Sequence, residues 1–351
     1  MDGSIRLWKP DGSSPAGYVT AVVIDEVSSS DRHEGTINVL TALPSVGGFI
    51  SASADRTVKL WKINATKKDE AAVQLMTSVR IEANYIPLAL AAAPLDLTSG
   101  SVVFAVAGTK STIEIYVAET LPESPSLSLR AVLLGHEGWI RSLAFVQEED
   151  EGKPDLLLAS ASQDKYIRLW RIHQGDELPA AKTTGSSLKL SLGSFGSTLS
   201  NKAQRFQAGG LPYSATFEAL LLGHEDWIYT VRWRRAKGDG LRLLSSSADN
   251  SLAIWQPDKV TGIWVCNARL GEISGQKGST TATGSTGGFW VGLWAPDGTA
   301  VVSLGRSGGW RLWRHDQTAD QWLQDIAVTG HVKAVTSIAW QENGRYLLST
   351  R

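Results

Sequence analysis

Two stretches of the chain carry histidine, serine and aspartate in an order that could form a hydrolytic triad. The first set is His136, Ser162 and Asp164, and the second is His224, Ser247 and Asp249. In a triad the imidazole takes the proton from the serine hydroxyl while the aspartate orients the imidazole. Glu225 and Asp226 directly follow the second histidine, and such carboxylates could also bind a metal ion beside it.

The surroundings of both histidines are copies of one pattern. GHEGWIRSLAF begins at Gly135 and GHEDWIYTVRW begins at Gly223, so each histidine is followed by a glutamate and, three residues on, by a tryptophan. A catalytic triad is a single arrangement of residues, so two copies at equivalent repeat positions argue against catalysis by either of them. Metal binding is disfavoured as well, because no pair of histidines has ligand spacing. The repetition indicates that these residues have a structural role in each repeat.

A second signature occurs six times: a turn followed by a short alternating strand that ends in an aromatic residue. Its copies occupy residues 2–8, 55–61, 110–116, 164–170, 249–255 and 307–313. Alternation of apolar and polar residues predicts strands with one buried face. Each unit supplies four short strands and almost no helical periodicity. Four antiparallel strands per repeat indicate a β-propeller.

These motifs resemble the WD-repeat family. The resemblance is carried by strand-closing tryptophans together with Gly135-His136, Gly223-His224, Gly330-His331, Asp2, Asp55, Asp164 and Asp249. It implies an all-β WD-repeat β-propeller with six recognisable repeat units, and since seven blades are commoner in the family, we expect a partial seven-bladed propeller. We assign residues 1–351 to this single domain, with Ser/Gly/Thr-rich loop insertions at about 175–217 and 274–288.

The resemblance also gives the two pseudo-triads a structural role. In WD-repeat proteins these residue types form a buried hydrogen-bond network that ties the loop before the inner strand to the turn after the second strand and to the strand tryptophan. We therefore expect such a network at His136, Ser162, Asp164, His224, Ser247 and Asp249. Breaking a buried hydrogen bond of this kind costs about 1–3 kcal/mol.

Trp139 and Trp227 come just before inner strands, where the family places the loops of the narrower propeller face. Two interpretations stay open: each ring covers the rim of its own blade, or the two rings form an anchor for a protein partner, as aromatic hot spots do. Glu137, Glu225 and Asp226 lie in the same loops and are further candidates for partner contacts.

A basic segment follows one of these loops. Arg232, Arg234, Arg235 and Lys237 lie within a few residues of one another, whereas the whole chain has a net charge of -1. Only a local patch of this kind could therefore attract an RNA backbone or an acidic partner. The alternative is a solvated loop face without a partner. An acidic loop, QEEDEGKPD from Gln147, occupies the corresponding place in the preceding unit.

Composition narrows the class of protein further. Cys266 is the only cysteine, which excludes an internal disulfide and a multi-cysteine zinc site and fits a reducing compartment. The sequence has neither a signal-peptide pattern nor a long uninterrupted apolar run. We therefore expect a cytoplasmic and nuclear protein that does not contact a membrane. We also expect no cofactor.

Several stretches are more particular than a generic repeat. LLGHEDWIYTVRW, LLSSSADNSLAIWQPD and GFWVGLW resemble the WD-repeat subunit of the Elongator complex, over most of its first propeller. That resemblance implies a non-catalytic scaffold whose partners are the large scaffold subunit and the catalytic radical/acetyltransferase subunit, with a weak transfer RNA contact as an option. Two other classes stay open: a WD-repeat adaptor in ubiquitination or RNA processing, and a propeller enzyme with a site in its central channel.

Overall fold

Antiparallel sheets make up nearly all of the regular structure in the computed structural model. The structure describes residues 4–10, 18–24, 31–65, 71–96, 100–119, 125–148, 155–175, 203–236, 240–271, 288–305, 309–316, 318–329, 337–340 and 347–350. The chain divides into two compact units, one comprising Met1–Leu134 with Gln204–Tyr213 and the other Gly135–Ala203 with Ser214–Arg351. No helix in the described ranges is long and apolar enough to cross a membrane.

The first unit contains a two-stranded sheet and two four-stranded sheets in which neighbouring strands follow chain order. Their strands are β1 (Arg6–Pro10) and β2 (Tyr18–Val23); β3 (Ile37–Leu43), β4 (Gly48–Ser53), β5 (Thr57–Ala65) and β6 (Ala71–Arg80); and β7 (Pro87–Asp96), β8 (Ser101–Gly108), β9 (Ile113–Glu119) and β10 (Ser126–Leu133). A single 3-10 turn, Pro44–Val46, joins β3 to β4. A further strand, β14 (Gln204–Ala208), also belongs to this unit.

The second unit repeats the same plan. Its strands are β11 (Ile140–Glu148), β12 (Asp155–Ser162), β13 (Ile167–Gln174) and most of β15 (Leu211–Leu221); β16 (Ile228–Ala236), β17 (Gly240–Ser247), β18 (Ser251–Pro257) and β19 (Trp264–Gly271); β20 (Phe289–Trp294), β21 (Ala300–Gly305), β22 (Gly309–Asp316) and β23 (Gln321–Thr329); and β24 (Ser337–Trp340) with β25 (Leu347–Thr350). The all-β repeat architecture predicted from the sequence is confirmed.

The second strand of each four-stranded repeat is the most deeply buried. Every residue of β4, β8 and β21 is buried, and β12 is exposed only partly, at its first residue. Their sequences are therefore continuous runs of apolar and small residues, as expected of strands that are covered on both faces. The fourth strand is the opposite case, because β19 exposes three consecutive residues, 265–267.

The first strand of each repeat contains a β-bulge at its second residue. The pairing register shifts around five residues, which are Asn38, Leu88, Arg141, Tyr229 and Trp290. A bulge bends its strand and redirects the side chain of the extra residue. In the second unit it therefore sets the direction of a cationic and two aromatic side chains on three neighbouring first strands.

Part of the range predicted as a loop insertion at 175–217 forms strands instead. β14 and the start of β15 form a hairpin whose turn residues Gly209 and Gly210 both have positive φ angles, 55° and 77°. Two consecutive glycines are suited to this turn, because it needs left-handed backbone at both positions. Across the hairpin the rings of Phe206 and Tyr213 stack with centroids 5.7 Å apart. Residues 176–202, and residues 274–287 of the second predicted insertion, lie outside the described residues.

Candidate partner-binding loops and their buried anchors

The His136 imidazole lies at the centre of a buried hydrogen-bond network. Its Nδ1 is 2.7 Å from Asp164 Oδ2, and its Nε2 is 2.8 Å from Ser160 Oγ. The indole N–H of Trp170 donates to the same Ser160 Oγ at 3.0 Å. Because the aspartate can only accept, Nδ1 carries the proton and Nε2 accepts from the serine hydroxyl.

Two further copies of this network have nearly the same geometry. His224 contacts Asp249 Oδ2 at 2.9 Å and Ser245 Oγ at 2.7 Å, and Trp255 donates to Ser245 at 2.9 Å. His33 contacts Asp55 Oδ2 at 2.9 Å and Ser51 Oγ at 2.7 Å, and Trp61 donates to Ser51 at 2.8 Å. Three repeats therefore share one Asp–His–Ser–Trp chain of hydrogen bonds.

In the His136 and His224 networks, the serine that contacts the imidazole is not the one that the sequence interpretation selected. Ser162 and Ser247 lie two residues beyond it and accept the backbone N–H of Asp164 at 3.2 Å and of Asp249 at 3.1 Å. Strand residues two apart point to the same face, so the alternation of residues alone does not show which of the two serines contacts the histidine. The spacing to the tryptophan is the signal that distinguishes them. Network serines precede it by ten residues, as Ser51, Ser160 and Ser245 do. Ser303 has the same spacing to Trp313 and accepts its indole N–H.

The His33 network was missed by the sequence interpretation, because Arg32 stands where the other copies have glycine. The tripeptide His33-Glu34-Gly35 matches His136-Glu137-Gly138 and is the signal that could have found it. Gly330-His331, another copy of the motif, and Asp2 lie outside the described residues.

Burial makes these networks unsuitable for hydrolysis. Ser160, Ser245 and Ser51 have no exposed surface at all, and each hydroxyl is already engaged by an imidazole and an indole. A substrate carbonyl must approach a catalytic serine to within about 3 Å, and that space is occupied here. In the part of the chain that the structure describes, no three His, Cys, Asp or Glu side chains are grouped so that they could hold a metal ion.

The protonation states of the network follow from burial and from these contacts. Desolvation is the largest influence on His136 and lowers the pKa of its imidazole, so the ring is neutral. Desolvation also acts on Asp164 and would raise its pKa. The hydrogen bonds from His136 and from the N–H groups of Glu137 and Tyr166 outweigh it, and the pKa of the carboxyl is lowered. An ionised aspartate therefore faces a neutral histidine.

Each buried aspartate also fixes the loop that precedes the first strand. Asp164 Oδ2 accepts the backbone N–H of Glu137 at 3.0 Å, and Asp249 Oδ2 accepts that of Glu225 at 2.9 Å. The carbonyl of Trp139 accepts a backbone hydrogen bond from Gln163 at 2.9 Å. The carbonyl of Trp227 accepts one from Ala248 at 2.9 Å. The loops are thus held at several points.

The side chains on these loops face solvent. Trp139 and Trp227 are 47% and 46% exposed, and Glu137, Glu225 and Asp226 are exposed as well. Fixed backbone with half-exposed aromatic rings is the arrangement that a protein-binding hot spot needs, because little conformational freedom is lost on binding.

Two arginine side chains of the basic segment, those of Arg232 and Arg234, lie within the described residues. Arg232 reaches the preceding first strand, where its Nη1 lies 3.4 Å from Ser142 Oγ. Arg234 lies over the Trp294 ring of the following first strand, 5.4 Å from the ring centre. The two guanidinium groups therefore contact different neighbouring strands, although Arg232 and Arg234 alternate along β16 with no register shift between them. Arg235 lies in β16, its side chain lies outside the described residues, and so does Lys237.

Comparison with known proteins gives one consistent family. The model of the WD domain, G-beta repeat, matches residues 24–62, 127–171, 215–256 and 324–351. Elongator complex protein 2 of Schizosaccharomyces pombe is 38% identical over 349 residues, which is 99% of this chain and 41% of the relative. Elongator complex protein 2 of Saccharomyces cerevisiae is 38% identical over 357 residues, with the same coverage of 99% and 41%.

The similarity extends beyond fungi. Elongator complex protein 2 of Arabidopsis thaliana is 30% identical over 319 residues, covering 86% of this chain and 35% of the relative. The chain spans about two fifths of the length of the two yeast relatives. The matched repeats, the antiparallel four-stranded sheets and these relatives identify the chain as a WD-repeat protein of the β-propeller class, similar to Elongator complex protein 2.

Proposed function

We propose that this chain is a non-catalytic scaffold segment of an Elongator complex, which supports the modification of wobble uridines in transfer RNA by holding other subunits. Similarity to Elongator complex protein 2 over 99% of the chain supports the choice of complex. The observation that carries the scaffold role is the pair of loops with exposed Trp139 and Trp227, anchored on buried Asp164 and Asp249.

Partner binding at these loops explains why the rings are exposed. A half-exposed tryptophan leaves a large apolar area in water, and covering that area by a partner is favourable by about 25 cal/mol per Å². The neighbouring Glu137, Glu225 and Asp226 would contribute the polar rim that surrounds such anchors. The partners that fit this proposal are the large scaffold subunit and the catalytic subunit of the complex.

Co-purification tests this proposal. The affinity-tagged chain is expressed in the cells it comes from, and the proteins that elute with it are identified by mass spectrometry. We expect Elongator subunits to elute with the unmodified chain and to be lost when Trp139 and Trp227 are both changed to alanine. Trp8→Ala is the matched control, because Trp8 is 59% exposed in the other unit.

Two outcomes would contradict the proposal in different ways. If the unmodified chain elutes with a different set of proteins, such as ubiquitination or RNA-processing factors, it is an adaptor of another complex. If the double variant melts at a much lower temperature and loses partners for that reason, the rings contribute to the fold and do not form an anchor. The melting temperature of each variant is therefore measured beside its partner set.

A further inference from the structure

Two arginines on neighbouring first strands have no carboxylate partner within the described residues. They are Arg141 at the bulge of β11 and Arg232 in β16. Arg171 and Arg269 of the same unit are paired: Arg171 contacts three carboxylates, and Arg269 contacts Asp249 at 3.0 Å. A guanidinium group inside a fold is usually paired, because desolvating an unpaired charge is costly. The exceptions need an explanation.

Both guanidinium groups are oriented by neutral groups. The Arg141 guanidinium carbon lies 6.0 Å from the centre of the Trp290 ring, and that ring lies 4.9 Å from the ring of Tyr229. Arg232 donates from Nη1 to the Val231 carbonyl at 2.9 Å, with Ser142 Oγ at 3.4 Å from the same nitrogen. These contacts fix the direction of the cations and leave most of their donors uncommitted, since a guanidinium carries five N–H donors.

The Arg232 side chain extends towards Arg141. Its Nη1 lies 3.4 Å from Oγ of Ser142, the residue that directly follows Arg141. Arg232 is solvent-exposed and Arg141 is partly so. The two arginines therefore border one surface between β11 and β16 that solvent reaches, and we call this surface the recess.

The loops next to this recess carry the opposite charge. Glu137, two residues before Trp139, and Glu225 with Asp226 before Trp227 are exposed. An RNA backbone would be repelled by these carboxylates before its phosphates reached the arginines. A polypeptide carries charges of both signs, so an acidic side chain can enter the recess while polar or basic neighbours contact the loops.

We propose that Arg141 and Arg232 form a recess that binds a carboxylate side chain of a partner polypeptide. The planar guanidinium group suits a carboxylate because it can donate two parallel hydrogen bonds. Tyr229 and Trp290 form the apolar wall beside it, and Trp139 and Trp227 hold the segments on either side. The inference rests on the proposed scaffold function, since it assigns a chemistry to the partner at the same loops.

Peptide binding tests the recess directly. The probe is an end-capped, fluorescein-labelled peptide in which glutamates alternate with leucines, and binding to the full chain is followed by fluorescence anisotropy. We expect the glutamine version of the peptide to bind at least about tenfold more weakly, which corresponds to the loss of one charge-assisted hydrogen-bonded pair. Arg141→Gln and Arg232→Gln should each cause a similar loss.

Control variants separate the site from general charge and from folding. Lys259→Gln removes an exposed cation from the β18–β19 turn and should leave peptide affinity unchanged. Arg232→Lys keeps the charge without the planar fork, so we expect intermediate affinity with an unchanged melting temperature. Equal binding of both peptides, or unchanged affinity in both glutamine variants, would overturn the proposal.

A ten-nucleotide uridine RNA is the competing probe. If it binds and the arginine variants weaken it while the glutamate peptide does not bind, the recess is a phosphate site and the proposal is wrong. The scaffold function fails separately, when the unmodified chain elutes without Elongator subunits although peptide binding depends on both arginines. In that case the recess stands and the identity of the complex is wrong.

Discussion

At the residue scale, the same atoms that resemble a hydrolytic triad serve to fix a loop. Asp164 Oδ2 accepts hydrogen bonds from both the His136 ring and the Glu137 backbone. Sequence alone could predict that His136 and Asp164 belong together, because the family pattern repeats. The alternation of residues in β12 did not distinguish Ser160 from Ser162, since both point to one face, whereas the ten-residue spacing to Trp170 does.

That difference predicts unequal costs for two serine-to-alanine changes. Ser160→Ala leaves the Trp170 N–H and His136 Nε2 without their partner in a fully buried place, so we expect a loss of about 1–3 kcal/mol in the free energy of unfolding. Ser162→Ala removes one acceptor of a backbone N–H at 3.2 Å and should cost less. Urea denaturation of both variants measures this, and an equal or reversed order would contradict the assignment.

The neutral state of His136 predicts a dependence of stability on pH. Burial lowers the pKa of this ring below its ordinary value of 6.5, so the unfolded chain binds a proton there at a higher pH than the folded chain does. Protonation of this residue therefore does not affect stability above that value and destabilises the fold as pH falls below it. We expect His136→Gln to lose less stability than the unmodified chain between pH 7.5 and 5.5 in urea titrations. An equal loss in both proteins would contradict it.

At the element scale, one arginine holds four strands of a sheet together. Arg171 in β13 contacts Glu148 of β11 at 2.5 Å, Asp155 of β12 at 2.9 Å and Glu218 of β15 at 2.7 Å. Glu148 and Asp155 lie at the two ends of the predicted acidic loop, so the cation also fixes where that loop leaves and enters the sheet. Charge counting in the sequence showed an acidic loop but not its buried counter-ion, because Arg171 is distant in sequence.

Removing this cation should be more damaging than an ordinary surface change. Arg171→Met would leave three carboxylates close together around a buried position, and uncompensated buried charge costs about 3–5 kcal/mol. We expect a loss of that order in the free energy of unfolding at pH 7, measured by urea denaturation. Arg314→Met, which breaks an exposed pair with Asp325 at 2.5 Å, is the control and should cost about 1 kcal/mol or less. Equal losses would show that Arg171 stabilises its sheet no more than an exposed ion pair does.

The basic segment of β16 also belongs to the element scale, because Arg232 and Arg234 contact different neighbouring strands. Arg234 lies over Trp294, so Arg234→Gln should lower the free energy of unfolding by about 0.5–1 kcal/mol through loss of a cation–π contact. We expect the same variant to leave transfer RNA affinity and its salt dependence unchanged in filter-binding titrations. A shallower slope of log affinity against log salt would instead show that Arg234 contacts a phosphate.

At the scale of the whole molecule, the repeated four-stranded units could be predicted from the sequence, whereas the hairpin of β14 and β15 was not predicted. Alternating strands, turn aspartates and closing tryptophans recur often enough to predict four-stranded antiparallel units. The hairpin of β14 and β15 was interpreted as part of a loop because serine, glycine and threonine dominate the range before it. The alternation of apolar and polar residues in RFQA and LPYSATF predicts strands. The composition of the whole range, averaged over many residues, predicted a loop instead.

Differences in burial between strands predict an order of local stability across the whole chain. Amide protons of the fully buried second strands β4, β8 and β21 should exchange slowly with deuterium, whereas those of the exposed fourth strand β19 should exchange early. Hydrogen–deuterium exchange followed by mass spectrometry measures this strand by strand. Faster exchange in the second strands than in β19 would contradict the burial order.

Asp164 and Asp249 each bind both a histidine ring and the backbone of a loop. The residues that shape each loop are therefore different from those that a partner would touch. Asp164 and Asp249 hold the loops through backbone N–H groups, and backbone groups are present whatever side chain the loop carries. We therefore expect changes at positions 137, 139, 225 and 227 to alter contacts with a partner while the anchors stay intact. Asp226 is different, because its Oδ1 accepts the backbone N–H of Trp227 at 2.7 Å. Each loop can be altered independently of the other, because each has its own histidine, aspartate, serine and tryptophan.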